Sequence, residues 1–177
     1  KLSILSSRFR KNVIYGINRK IKVLRKGDLI GLSEVDLSLL SVDCNGSYLL
    51  SLKNDYVMVM RDCENRELRK RMYLEYNGIA SVEGSFNDNT LIMESILRLR
   101  ERQSKLLGFN NYAELSLCNK SIGRVEDVFS FLDNQLESIL VDYNIDMDKL
   151  CLYAGGLGIE DFNVWDHSYV IKKYNGK

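Results

Sequence analysis

Proline is missing from all 177 residues, and histidine and tryptophan occur once each. Asn, Lys, Ile and Tyr are abundant in the same chain. AT-rich codons favour those four residues, so the bias is read as a property of the source genome rather than of the chemistry. The lone His167 excludes a hydrolytic zinc site of the His₂Glu type, which needs two imidazoles, and the H-E-x-x-H pattern is absent. The four cysteines, Cys44, Cys63, Cys118 and Cys151, are scattered and include no C-x-x-C pair. That spacing argues against a thiolate metal centre and predicts buried free thiols in a reducing compartment. No apolar run approaches the roughly 20 residues that cross a bilayer, and the opening residues lack the small-residue cleavage site of a secretion signal. Asn-x-Ser sequons at Asn45 and Asn119 are therefore read as chance matches, and the expected location is cytoplasmic.

What is present is ordinary for a globular protein: 45% hydrophobic and 28% charged residues, with a net charge of +1. The charge is uneven. Lys1 to Gly27 hold nine basic residues and no acidic one, leaving sixteen basic against all twenty-four acidic residues elsewhere. A basic, acid-free leading helix is compatible with a transit peptide, a membrane-surface helix or a nucleic-acid patch. The plainer expectation is a structural helix with a basic solvated face, and neither nucleic acid nor membrane is expected as a partner.

Apolar spacing predicts an all-α fold of several helices, with a short hairpin or extended stretch near residues 47–60. Leu2, Leu5, Phe9, Val13, Ile17, Ile21 and Leu24 recur in steps of three and four, predicting one amphipathic helix that runs to Gly27-Asp28. Ser33 is placed to cap a short helix carrying Glu34 and Asp36 in its first turn, and Asn45-Gly46 signals a turn. Ser47–Leu52 and Val57–Met60 are predicted as strands or connectors. Asp62 is the expected cap of a charged helix striped by Leu68, Met72 and Tyr76. A helix over about 89–107 should bury Ile92, Ile96, Leu99 and Leu106 and end at Gly108. Asn110 or Asn111 opens a short helix through Leu117, and Ser121 is placed to cap the next, striped by Val125, Val128, Phe129, Leu132, Leu136 and Leu140. A break is expected over Asp142–Asp148, loop character at Gly155–Gly158, and a last helix from Trp165. The whole, 1–177, reads as a single helical segment with a possible subdivision near 142–160.

Chemistry-bearing patterns are few. Asp166-His167-Ser168 has the letters of a hydrolase triad, but consecutive helical residues point about 100° apart and do not face one another. Gly155–Gly158 lacks the Lys and Ser/Thr of a phosphate loop and is followed by Glu160 and Asp161, which repel phosphate. Arg98 and Arg102 share a helix face that Glu94 and Glu101 can neutralise. No carboxylate pair stands apart for acid and base work. No catalytic, cofactor-binding or metal-ligating residue is assigned in this chain.

Seven stretches nonetheless follow one known order. Phe9-Arg10-Lys11-Asn12-Val13 has the form F-x-x-N-V, and Asp28, Gly31, Leu32 and Glu34 the form D-x-x-G-L-x-E. Tyr56-Val57-Met58-Val59-Met60 is similar to Y-x-P-V-M, and Asn65-Arg66-Glu67-Leu68-Arg69 with Tyr73 to N-R-E-L-R-x-x-x-Y. Asp88-Asn89-Thr90, Ile96-Leu97-Arg98-Leu99-Arg100 and Leu106-Leu107-Gly108-Phe109-Asn110-Asn111-Tyr112-Ala113-Glu114 form one extended run. Val128, Phe131 and Leu132 fit V-x-x-F-L, and Trp165-Asp166 with Tyr169 fits W-D-x-x-Y. In this order the chain resembles the thimet-oligopeptidase and oligopeptidase A family of zinc metallopeptidases over nearly its whole length.

The resemblance implies a fragment of a cytoplasmic zinc oligopeptidase that hydrolyses short peptides. Zinc is expected in the parent protein, bound beyond Lys177, and none in this chain. The segment is expected to form helical wall of the substrate channel, with the rest of the peptidase chain and short peptides as partners. Some positions depart from the family. The family's prolines are absent at Ser33, just after Tyr56 and at Val164, Ile79 and Ser121 replace an arginine and a methionine, and Val170 replaces a second tyrosine. Those changes motivate the alternative of a non-catalytic helical remnant or binding module.

Overall fold

The computed structural model describes residues 1–82 and 85–176. Among them are eight helices: α1 Leu2–Ile17, α2 Glu34–Leu39, α3 Tyr56–Asp62, α4 Arg66–Asn77, α5 Thr90–Leu106, α6 Tyr112–Leu117, α7 Val125–Gly156 and α8 His167–Asn175. A small antiparallel sheet has the order β1 Lys20–Val23, β3 Tyr48–Ser51, β2 Ser41–Val42. The fold is thus mostly α-helical, as expected, with a little sheet. None of the described helices is long and apolar enough to cross a membrane. Two compact units share the chain, one of residues 1–10 and 89–148, the other of 11–88 and 149–177.

The second unit holds the main core. Ile21 and Val23 point inward from β1 while Lys20 and Lys22 stay in water, and Ile21 pairs with Leu50 across the sheet. This corrects the single long helix to Gly27. From Ile17 onward helical spacing and strand alternation share apolar positions, and pairing with a distant strand decides for the sheet. Leu50, Leu52, Val59, Cys63 and Met72 are all but fully buried around it. Each such aliphatic or thioether side chain contributes on the order of 1.5–3 kcal/mol.

Ser33 caps α2 as expected, in a reciprocal box with Asp36. Tyr48–Ser51 is a strand, but the expected extended stretch at Val57–Met60 is helical. As part of α3 it presents Val59 and Met60 to the core, with Cys63 buried just past the helix end, and Tyr56 stacks on Tyr76 with ring centroids 4.2 Å apart. Asp62 is correspondingly the buried last residue of α3, not a cap. Asn65 caps α4 instead, its side chain accepting from the Leu68 amide at 3.1 Å.

In the first unit α5 ends in a turn whose geometry requires glycine. Gly108 has φ +82, and the Phe109 amide donates back to the Ser104 carbonyl at 2.9 Å. Asn111 caps α6, while the Glu114 carboxylate accepts from the Asn110 amide at 2.9 Å. Ile92 is buried as expected, but Leu106 is 78% exposed and lines an open groove with Leu2, Leu99 and Leu107. The expected break at Asp142–Asp148 does not occur, because α7 continues to Gly156. That stretch contains neither glycine nor proline, and its carboxylates remain exposed, so nothing interrupts the backbone hydrogen bonds. The start of α7 at Val125 also leaves Ser121 outside any capping position.

Candidate functional site

The most ordered polar cluster lies in the second unit, where three of the quoted motifs meet. α4 carries Arg66 and Arg69 one turn apart, and the turn before α8 presents Asp166, which is fully buried. Arg66 Nε donates to both Asp166 oxygens at 3.1 and 3.0 Å and Nη2 to Oδ2 at 2.8 Å. Arg69 Nη2 donates to Oδ1 at 2.7 Å. The remaining Arg69 donors serve the carbonyls of Cys63 at 2.8 Å, Glu64 at 3.1 Å and Trp165 at 3.3 Å. Its guanidinium also stands 4.2 Å from the Tyr169 ring centroid. Arg66 and Lys70 lie over the Trp165 ring at 5.9 and 5.1 Å. With 1% exposure, Arg69 is a buried cation that Asp166 neutralises.

The third motif closes the cluster from the other side. Asn65 Nδ2 donates to Asp28 Oδ1 at 3.5 Å, and the Glu64 amide to the Ile30 carbonyl at 2.8 Å. Gly31 has φ +98, and a β-carbon there would sit 2.2 Å from the Asp62 carbonyl oxygen, so glycine alone permits this approach. Beside it, Asp62 accepts from Arg61 at 2.7 Å and from Lys172 of α8.

Burial works to raise the Asp166 carboxyl, but the bonds from Arg66 and Arg69 outweigh it and hold the group below the usual carboxylate range. Asp62 follows the same pattern, with Arg61 and Lys172 overcoming desolvation. Burial pushes the Cys63 thiol up, which makes it inert. Cys44, Cys118 and Cys151 are exposed, against the expectation of four buried thiols.

Chemically, the cluster can lock α4, the Asp28–Gly31 turn and the start of α8 together, and every strong group in it is committed to another. Asp166 is occupied by arginines, His167 stacks on Phe162 with centroids 5.9 Å apart, and Ser168 lies on an exposed groove between α3 and α8. Asp166, His167 and Ser168 form no relay. Among the described residues no three His, Cys, Asp or Glu side chains converge as a metal ion needs. The donor set present therefore does not fit a catalytic zinc ion. Arg69 and Asp166 escaped the sequence reading as partners because a helical arginine next to charged neighbours looks solvated. Its counter-ion lies 97 residues away, and the only signal was that both belong to quoted motifs.

A mostly helical scaffold in which the buried Arg69–Asp166 pair ties α4 to the start of α8 is the class this fold and cluster define. Residues 59–177 match the profile of Peptidase family M3, and the chain belongs to that family. Oligopeptidase A of Haemophilus influenzae is 34% identical over 98% of this chain and 27% of its own length. Oligopeptidase A of Escherichia coli is 30% identical over the same shares. The organellar oligopeptidase A of Arabidopsis thaliana is 32% identical over 94% of this chain and 22% of its own length. The chain thus spans about a quarter of the length of these curated relatives.

Proposed function

We propose that this chain is a helical segment of a zinc-dependent oligopeptidase that hydrolyses short peptides. In this reading it forms part of the wall around the substrate channel and leaves the zinc ion and the chemistry to the rest of the protein. The observation that carries the reading is membership of Peptidase family M3 over a stretch equal to only about a quarter of its relatives. Support also comes from the cluster at Asp166, which spends its charges on rigidity and would hold wall helices in fixed positions. A rigid wall contributes to catalysis by excluding folded proteins and by restricting peptide orientations, not by touching the scissile bond. The whole protein would act in the cytoplasm on peptides that are already unfolded.

The test is made on the purified 177-residue chain, with zinc measured by mass spectrometry and cleavage followed with a fluorescence-quenched peptide. The expected result is no stoichiometric zinc and no cleavage above buffer. Cleavage that survives further purification and stops on adding a chelator would place the chemistry in this segment after all.

A further inference from the structure

Three Asn-Gly pairs occur in the chain, Asn45-Gly46, Asn77-Gly78 and Asn175-Gly176, and all three asparagines are exposed. Such a pair sets an electrophile, the side-chain amide carbon, beside a nucleophile, the glycine amide nitrogen, with no β-carbon on the glycine to obstruct them. The two groups can meet only by leaving their hydrogen bonds, so the fold decides which pair reacts. Asn77 ends α4 and is held twice. Its Nδ2 donates to the Tyr73 carbonyl at 2.8 Å, and the Gly78 amide donates to the Leu74 carbonyl at 2.9 Å. Just beyond, the buried Ala80 anchors the chain. Asn175 also ends a helix, α8, but only the exposed Gly176 follows it among the described residues.

Asn45 lies instead in the loop between β2 and β3, where the Asp43 carboxylate organises the backbone. Asp43 accepts from the Asn45 and Ser47 amides, each at 2.9 Å, and pairs with Lys22 of β1 at 2.6 Å. The Gly46 amide has a single turn bond, to the Asp43 carbonyl at 3.0 Å. Among the described residues no group holds the Asn45 side-chain amide. Gly46 has φ +78, and a β-carbon there would meet nothing within 4 Å, so the loop has room to rearrange.

The geometry points to Asn45-Gly46 as a site of spontaneous covalent modification, deamidation through a cyclic imide, while Asn77-Gly78 is locked against it. The Gly46 nitrogen gives up its proton and bonds to the Asn45 side-chain amide carbon. The bond from that carbon to Nδ2 breaks, and ammonia leaves with the proton. Water then opens the imide. Attack at the side-chain carbonyl leaves aspartate, and attack at the main-chain carbonyl leaves isoaspartate, whose backbone is one methylene longer. Either product puts a new negative charge beside Asp43 and takes the formal charge of the chain from +1 to zero. Isoaspartate also lengthens the loop that sets the register Val42↔Tyr48 and Ser41↔Leu49. Both reacting groups are neighbours in the chain, so no partner has to reach them, and the inference does not require that the parent protein cleave peptides.

The test incubates the full 177-residue chain in mildly alkaline buffer and follows its proteolytic peptides by mass spectrometry, with fragment ions locating each change. A gain of about 1 Da at Asn45 is expected, split between two products that chromatography separates. Its rate should rise with pH, because the Gly46 nitrogen attacks without its proton. Asn77 should convert at least about tenfold more slowly, since two hydrogen bonds must break together there. In denaturant the two rates should converge, and Asn45→Gln should remove the modified peptide. Equal rates at Asn45 and Asn77 in the folded chain overturn the inference. So does an Asn45 that converts only after denaturant is added.

Discussion

Replacing Asp166 with alanine is expected to destabilise the unit of residues 11–88 and 149–177 by about 3–5 kcal/mol. The carboxylate is fully buried, and its loss leaves Arg69, 1% exposed, as an uncompensated buried cation. Arg66→Ala is expected to cost less, because Arg66 is 34% exposed and its removal leaves the Arg69–Asp166 pair intact. Arg69→Met combined with Asp166→Leu is expected to cost less than the sum of the two single changes, since no buried charge is then stranded. Denaturant titrations of Asp166→Ala, Arg66→Ala, the double variant and its two single changes, followed by circular dichroism, measure this. A loss below about 1 kcal/mol for Asp166→Ala would show that the cluster does not hold the unit together.

The same pairing fixes the acid response. The Asp166 carboxyl sits below its usual range in the folded chain. Its contribution is therefore fully present above the unfolded value of about 4 and fades as pH falls through the lower folded value. Asp62 behaves alike. The acid limb of the stability curve should be shallower in Asp166→Ala than in the parent chain.

Gly31→Ala is the second large effect. The new β-carbon would stand 2.2 Å from the Asp62 carbonyl oxygen on a backbone with φ +98, so clash and strain act together. A cost of roughly 2–6 kcal/mol follows. Gly46→Ala provides the control. Its φ is +78 but its β-carbon would meet nothing within 4 Å, so only backbone strain of about 1–2 kcal/mol is expected. Thermal melts of the two variants should separate widely. Equal melting points would mean that the Asp28–Gly31 turn is not held against the end of α3.

Local signals were the legible part of this sequence. Ser33, Gly108 and Asn111 announce their caps because capping depends on a few neighbouring residues. Ile21 and Val23 did not announce a strand, because their partners Leu50 and Tyr48 lie more than twenty residues on. Val57–Met60 looks extended from its apolar run but is helical, with Val59 and Met60 buried in the core and Val57 left exposed. The mostly helical class survived these exchanges, since they involve short elements. The cluster was half legible. Its residues stood among the quoted motifs, but nothing local says that Arg69 is buried or that Asp166 is its counter-ion. In physical terms, the spacing on α4 reveals a helix face, and only tertiary packing reveals which charges lose their water.

The most direct test of the account uses the full-length product of the gene that encodes this chain. Purified, it should carry one zinc ion per polypeptide and cleave a short quenched peptide, and a chelator should abolish that cleavage. A complete product that binds no zinc and cleaves no peptide would contradict the account and leave the chain a non-catalytic relative of the family.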